Sequence, residues 1–161
     1  MNTTAEATIE ADEKLPIIRI TRDFNATPEQ VVRAHTDPEL YARWVGPNDS
    51  VTKIDHWDAR TGGSWRFVGV NEAGDEFGFR GCFHEVSDHR IVQTFTWEGQ
   101  PESVSLETLT FEDLGDGRTR LRAQSLCDSF EERDAWLRSG MEVGVNDGYA
   151  KLDQMLADGS V

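Results

Sequence analysis

The 161-residue chain carries 30 acidic against 16 basic side chains, a formal charge of −14, and a field of that sign repels phosphate backbones and anionic membrane surfaces, which argues against nucleic acid as a partner. The length suits one domain with a full core and is short for two. Cys82 and Cys127 are too few and too far apart for a disulfide framework or a zinc knuckle. With no basic start leading into an apolar run and no bilayer-length apolar stretch, a cytoplasmic protein without membrane insertion is expected.

Residues 1–14 are polar, acidic and aperiodic, and read as a flexible tail ahead of a single domain over 15–158. In "PIIRITRDFNA", Ile18, Ile20 and Arg22 alternate with Arg19, Thr21 and Asp23, the period of a strand. Two short helices follow. Thr27 caps, Pro28 suits the first helical position and Gln30 completes a capping box; Asp37 and Pro38 repeat the signal, and Gly46-Pro47 ends the second helix.

From Val51 to Ser125 short β-prone runs alternate with turn residues. Six strands are expected, at about Val51 to Arg60, Ser64 to Val70, Glu76 to Val86, Ile91 to Trp97, Val104 to Glu112 and Arg118 to Ser125. The glycine pair in "WDARTGGSWRF" leads into an alternating run, not into the Lys and helix of a phosphate loop, so a two-residue hairpin turn with both glycines at positive φ is expected. After Ser129 and Glu132, another capping pair, Met141, Val145, Gly148, Tyr149, Leu152, Met155 and Leu156 recur at three- and four-residue intervals. One long helix from about Glu131 to Ala157 is the expectation, and a break near Ser139 to Gly140 the alternative. The sum is α+β: βααββββββα, a sheet of about seven antiparallel strands with helices on one side.

That order, together with "YARWVGP" (41–47), "DARTGGSWRF" (58–67), "GCFHEV" (81–86), "TRL" (119–121) and "SGMEVGVNDGYAKLDQML" (139–156), resembles the helix-grip superfamily of START, birch-pollen-allergen and polyketide cyclase-like proteins. Within it the chain is similar to bacterial homologues of the C-terminal domain of the activator of heat-shock protein 90 ATPase. The resemblance covers about residues 17 to 157 and includes no catalytic signature. It implies a curved sheet gripped around a long helix, with an apolar gap that holds a lipid-like or polyketide-like small molecule.

Alternation puts Trp65 and Phe67, Phe79 and Phe83, and Phe95 and Trp97 on one aromatic face, continued by Leu109, Phe111, Leu121 and Ala123. With the resemblance, the expected cavity lining is Trp44, Trp65, Phe67, Phe79, Phe83, Phe95, Trp97, Met141, Val145 and Tyr149. Arg60 either braces its hairpin by pairing with Asp58 or anchors a ligand anion at the rim. Cys82 and His84 share a strand face but lack the other ligands of a metal site, and His35, His56 and His89 read as surface or helix-end residues. No nucleophile elbow is present, so neither a catalytic residue nor a cofactor is assigned.

Three functions follow. The first is a binding domain for a hydrophobic small molecule. The second is a cavity-based cyclase, dehydratase or hydrolase, favoured if an ionisable group such as Arg60, Glu85 or His84 projects inward. A co-chaperone stimulating a chaperone ATPase ranks last, because only about fourteen residues precede the first strand. A homodimer through sheet edges or a helix face is compatible with all three.

Overall fold

The computed structural model describes residues 6–161. Part of the expected tail is strand: Thr8–Ala11 (β1) pairs antiparallel with Ile17–Phe24 (β2). The turn between them is held by Asp12, whose carboxylate accepts from the amides of Lys14 and Leu15 and from Arg19. The tail expectation is thus corrected at 8–11, and its residues 1–5 lie outside the described residues.

Pro28–Thr36 (α1) starts with the expected reciprocal box between Thr27 and Gln30. Pro38–Trp44 (α2) is capped by the Asp37 carboxylate, which accepts from the amides of Glu39 and Leu40. The meander then runs Ser50–Trp57 (β3), Ser64–Asn71 (β4), Glu76–Val86 (β5), Arg90–Trp97 (β6), Ser105–Gly115 (β7) and Arg118–Leu126 (β8). All eight strands form one antiparallel sheet in the order β1-β2-β8-β7-β6-β5-β4-β3. The eighth strand, beyond the expected seven, is β1. Register shifts in β3–β4, β5–β6 and β7–β8 supply bends that curve the sheet.

The glycine turn differs from the two-residue hairpin. β3 ends at Trp57, and six residues, 58–63, cross to β4. Only Gly62 has positive φ, at 86°. Gly63 is instead required for close approach, since a Cβ there would lie 1.9 Å from the Asp58 carbonyl oxygen. The loop closes onto β5: the Gly62 amide donates to the Phe83 carbonyl and the Phe83 amide to the Gly63 carbonyl.

The expected long helix is two. Ser129 caps Phe130–Arg138 (α3), accepting from the Glu132 amide, while the Glu132 carboxylate turns to the Asp128 amide and the Ser103 hydroxyl. Gly140, at φ 88°, breaks the chain before Met141–Asp158 (α4). A left-handed residue cannot continue a right-handed helix, so the alternative break is the one formed. Gly148 admits the close crossing of α4 over the end of α2, where a Cβ would stand 3.0 Å from the Trp44 carbonyl oxygen.

Phe24, Val31, Ala34, Phe111, Leu121, Leu152 and Met155 fill the core between sheet and helices. One ion pair crosses it. Buried Arg22 on β2 holds the Asp153 carboxylate of α4 through two bonds of 2.7 and 2.6 Å, with its guanidinium 4.7 Å from the Phe24 ring centroid.

Candidate functional site

Toward the other end of the same sheet face, α4 does not reach the strands, and a cavity of about 350 Å³ remains. That is at the low end of the roughly 300–1,000 Å³ usual for small-molecule pockets. Its floor follows from register. Ile18, Ser125, Glu107 and Gln93 stand side by side on β2, β8, β7 and β6, and Ile20, Ala123 and Leu109 form the next row. Ser105 and Cys127 lie one step further along. Trp44, His35 and the 45–47 segment close one side, Phe67, Phe79 and Phe95 another, and Met141, Val145 and Tyr149 on α4 with Trp136 on α3 form the roof.

Seven of the ten residues expected at the lining are at this wall: Trp44, Phe67, Phe79, Phe95, Met141, Val145 and Tyr149. Trp65, Phe83 and Trp97 are not. Trp65 is buried behind the wall, its ring stacked on Phe67 at 5.5 Å and seated over Gly81. Phe83 is buried against Trp57, and the Trp97 ring folds back over Gly99.

Arg60 is also away from the cavity. Its side chain is 70% exposed and its Nε donates to both Asp58 carboxylate oxygens at 3.0 Å, the hairpin-bracing arrangement. Trp57 points to the core, donating from Nε1 to the Thr36 carbonyl at 2.7 Å, so Asp58 faces outward. Cys82 and His84 are exposed, and among the described residues no cluster of three His, Cys, Asp or Glu is placed to hold a metal.

Apart from the Tyr149 phenol, the polar groups of the cavity belong to residues outside the expected lining. Glu107 accepts a 2.8 Å bond from Gln93 Nε2 on one oxygen and a 3.1 Å bond from the Ser125 hydroxyl on the other. Burial raises its pKa, and these two donors only partly oppose the shift. Burial and the neighbouring Glu107 charge together push the Tyr149 and Tyr41 phenols up.

His35, expected at a surface or helix end, is buried. Its Nδ1 lies 2.8 Å from the Val31 carbonyl, which fixes the proton there, and its ring packs edge-on against Trp44 and Phe111. Desolvation drives its pKa down to about 4, so it is neutral at pH 7. Arg60, Glu85 and His84 are absent from the lining; Glu107 and His35 are the ionisable side chains that project there with Tyr149 and Cys127.

Glu107 was readable in principle. Period-two alternation from Phe111 and Leu109 leads to Glu107 and Ser105, and from Leu121 and Ala123 to Ser125. A charged residue on an apolar strand face is the signal.

The architecture has many solved counterparts. A protein of Rhodobacter sphaeroides is 26% identical, with a TM-score of 0.87 over 96% of this chain and 99% of its own. A Mycobacterium smegmatis protein is 22% identical, with a TM-score of 0.83 over 93% and 96%. A protein of the dynemicin biosynthetic locus is 20% identical with a TM-score of 0.62, matching 89% of this chain and 48% of its own, and it shares the fold. No curated protein matches the chain at a significant level. The family model described as Activator of Hsp90 ATPase homolog 1-like protein matches residues 25–157, from the first capping box to the end of α4. The chain therefore belongs to the Activator of Hsp90 ATPase homolog 1-like family.

Proposed function

We propose that this protein binds a small hydrophobic molecule of lipid-like or polyketide-like size in the cavity under α4. The observation that carries the reading is the hollow itself: a single sheet face packed solid at one end and open by about 350 Å³ at the other, walled by aromatic rings around one polar cluster. Large apolar concavities with a few convergent polar groups are where small molecules bind. The likeness to a protein of a biosynthetic locus agrees with a small-molecule role. Native mass spectrometry of the purified protein should show a retained small molecule, and an apolar dye should raise Tm. The absence of both a retained mass and any Tm shift across a set of apolar compounds would sink the reading. The same spectrum distinguishes monomer from homodimer.

Glu107 in the cavity favours a second reading, in which the bound molecule reacts by proton transfer. Glu107→Gln separates the two: it keeps binding of a neutral apolar dye under both and loses turnover only under the second.

A further inference from the structure

Resting on the ligand-binding reading of the same cavity, we infer that the molecule it selects is a cation: an amine protonated at neutral pH, with an apolar body, whose ammonium group docks on the Glu107 carboxylate among the aromatic rings. Three observations converge on this chemistry.

The first is an unbalanced charge. Both Glu107 oxygens accept bonds from neutral donors, Gln93 and Ser125, which favour the carboxylate form without neutralising its charge. Among the described residues no ion pair includes Glu107. A half-buried carboxylate with no cation beside it leaves an unbalanced charge in a mostly apolar wall, which a proton or a cationic ligand would offset.

The second is that, among the described residues, no lysine or arginine lines the cavity to do so. From α1 the cavity receives His35, held neutral; from just after β8 it receives the Cys127 thiol, pushed up by burial; from α4 it receives Tyr149, with Tyr41 of α2 also feeling the Glu107 charge. Arg22 is engaged by Asp153. Arg133 of α3 is turned to the carbonyls of Asp12 and Leu15, with Asp134 on its Nε, and Lys151 of α4 to the Gly46 carbonyl.

The third is the wall. Trp44 and Tyr149 stack at 5.8 Å, and Phe67, Phe79 and Phe95 form a run of rings with centroid separations of 5.2 and 5.5 Å. Ring faces attract an ammonium through their quadrupoles, and they do so best where water is excluded. The −14 charge of the whole chain raises the local concentration of cations and opposes the entry of anions.

The test uses the full chain with the neutral fluorescent dye N-phenyl-1-naphthylamine as reporter, displaced in parallel by 4-phenylbutylamine, 4-phenylbutan-1-ol and 4-phenylbutanoate. At pH 7.5 the ammonium compound should displace the dye at a concentration about tenfold or more below the alcohol, with the carboxylate weakest. Its advantage over the alcohol should shrink as pH falls and Glu107 takes up a proton, because an alkylammonium stays charged throughout. In Glu107→Gln, whose fold is checked by retained dye binding, amine and alcohol should compete equally.

Amine and alcohol competing equally in the wild type, or an amine preference that survives Glu107→Gln, overturns the cation proposal and leaves the binding reading intact. A dye that never enters overturns the binding reading itself. Should the variant not fold, the wild-type ratio of amine to alcohol across pH decides alone.

Discussion

The two ends of the inward sheet face are built from the same strands and covered by the same helix, yet one is solid and the other hollow. At the solid end β7 and β8 present Phe111 and Leu121, α4 answers with Leu152 and Met155, and α1 adds Val31 and Ala34. Four residues along the same strands the side chains dwindle to Glu107 and Ser125, then to Ser105 and Cys127, while α4 offers Gly144 and Val145. Interiors ordinarily pack to crystal density, so a void of this size is not maintained by its own lining. The solid end and the Arg22–Asp153 pair hold α4 in place. Stability and the site are thus segregated along one helix, and mutations at the two ends should behave differently.

The largest effect belongs to the solid end. Asp153→Ala leaves the Arg22 guanidinium, with only 4% of its side chain exposed, without its counter-charge. Removing one partner of a buried pair costs about 3–5 kcal/mol, read by urea unfolding at pH 7. A cost below about 1 kcal/mol would mean that the pair does not fasten α4.

At the border between the two ends, His35 makes stability depend on pH. Its pKa is about 4 in the fold against an ordinary 6.5, so between those values the unfolded chain binds more protons. The contribution is fully present above pH 6.5 and lost as pH falls toward 4, about 3 kcal/mol in all. His35→Leu should flatten that part of the stability profile, whatever constant cost the substitution adds; equal slopes in variant and wild type would show that His35 is not buried as a neutral ring. Glu107 has the opposite sign. Its raised pKa means the folded state binds the extra proton, so its half-buried charge weakens the fold as pH rises through its titration range.

Local signals were legible where they act locally. The Thr27–Gln30 box, the Asp37–Pro38 cap and the alternation that sends Phe67, Phe79 and Phe95 inward all read directly from spacing. What the sequence left open depends on contacts between distant residues. Trp65 shares the period of Phe67 but is drawn behind the wall by Gly81, and Gly63 is set by the Asp58 carbonyl, not by a hairpin type. His35 lies one residue from the end of α1, an ordinarily exposed place, and is buried because Trp44 and Phe111 meet over it. Thr8–Ala11 is only four residues long and is ordered by pairing with β2, which propensity in the tail does not register.

The smallest expected effect on stability falls at the hollow end, where it should coincide with the largest effect on binding. Ala123 stands on the cavity floor between Ile20 and Leu109, and Ala123→Leu directs three more carbons into open space. In a filled core such an insertion costs about 1–3 kcal/mol through strained rotamers and shifted backbone. Here the new methyls meet a void, and the gain from burying them offsets the loss of side-chain freedom, so stability should move by less than about 1 kcal/mol. Affinity for the neutral dye should meanwhile fall by about tenfold or more, because the ligand and the leucine compete for one volume. Urea midpoints measured beside dye titrations check both halves at once: a large destabilisation would show that the hollow collapses in solution, and undiminished dye binding would move the ligand to another surface.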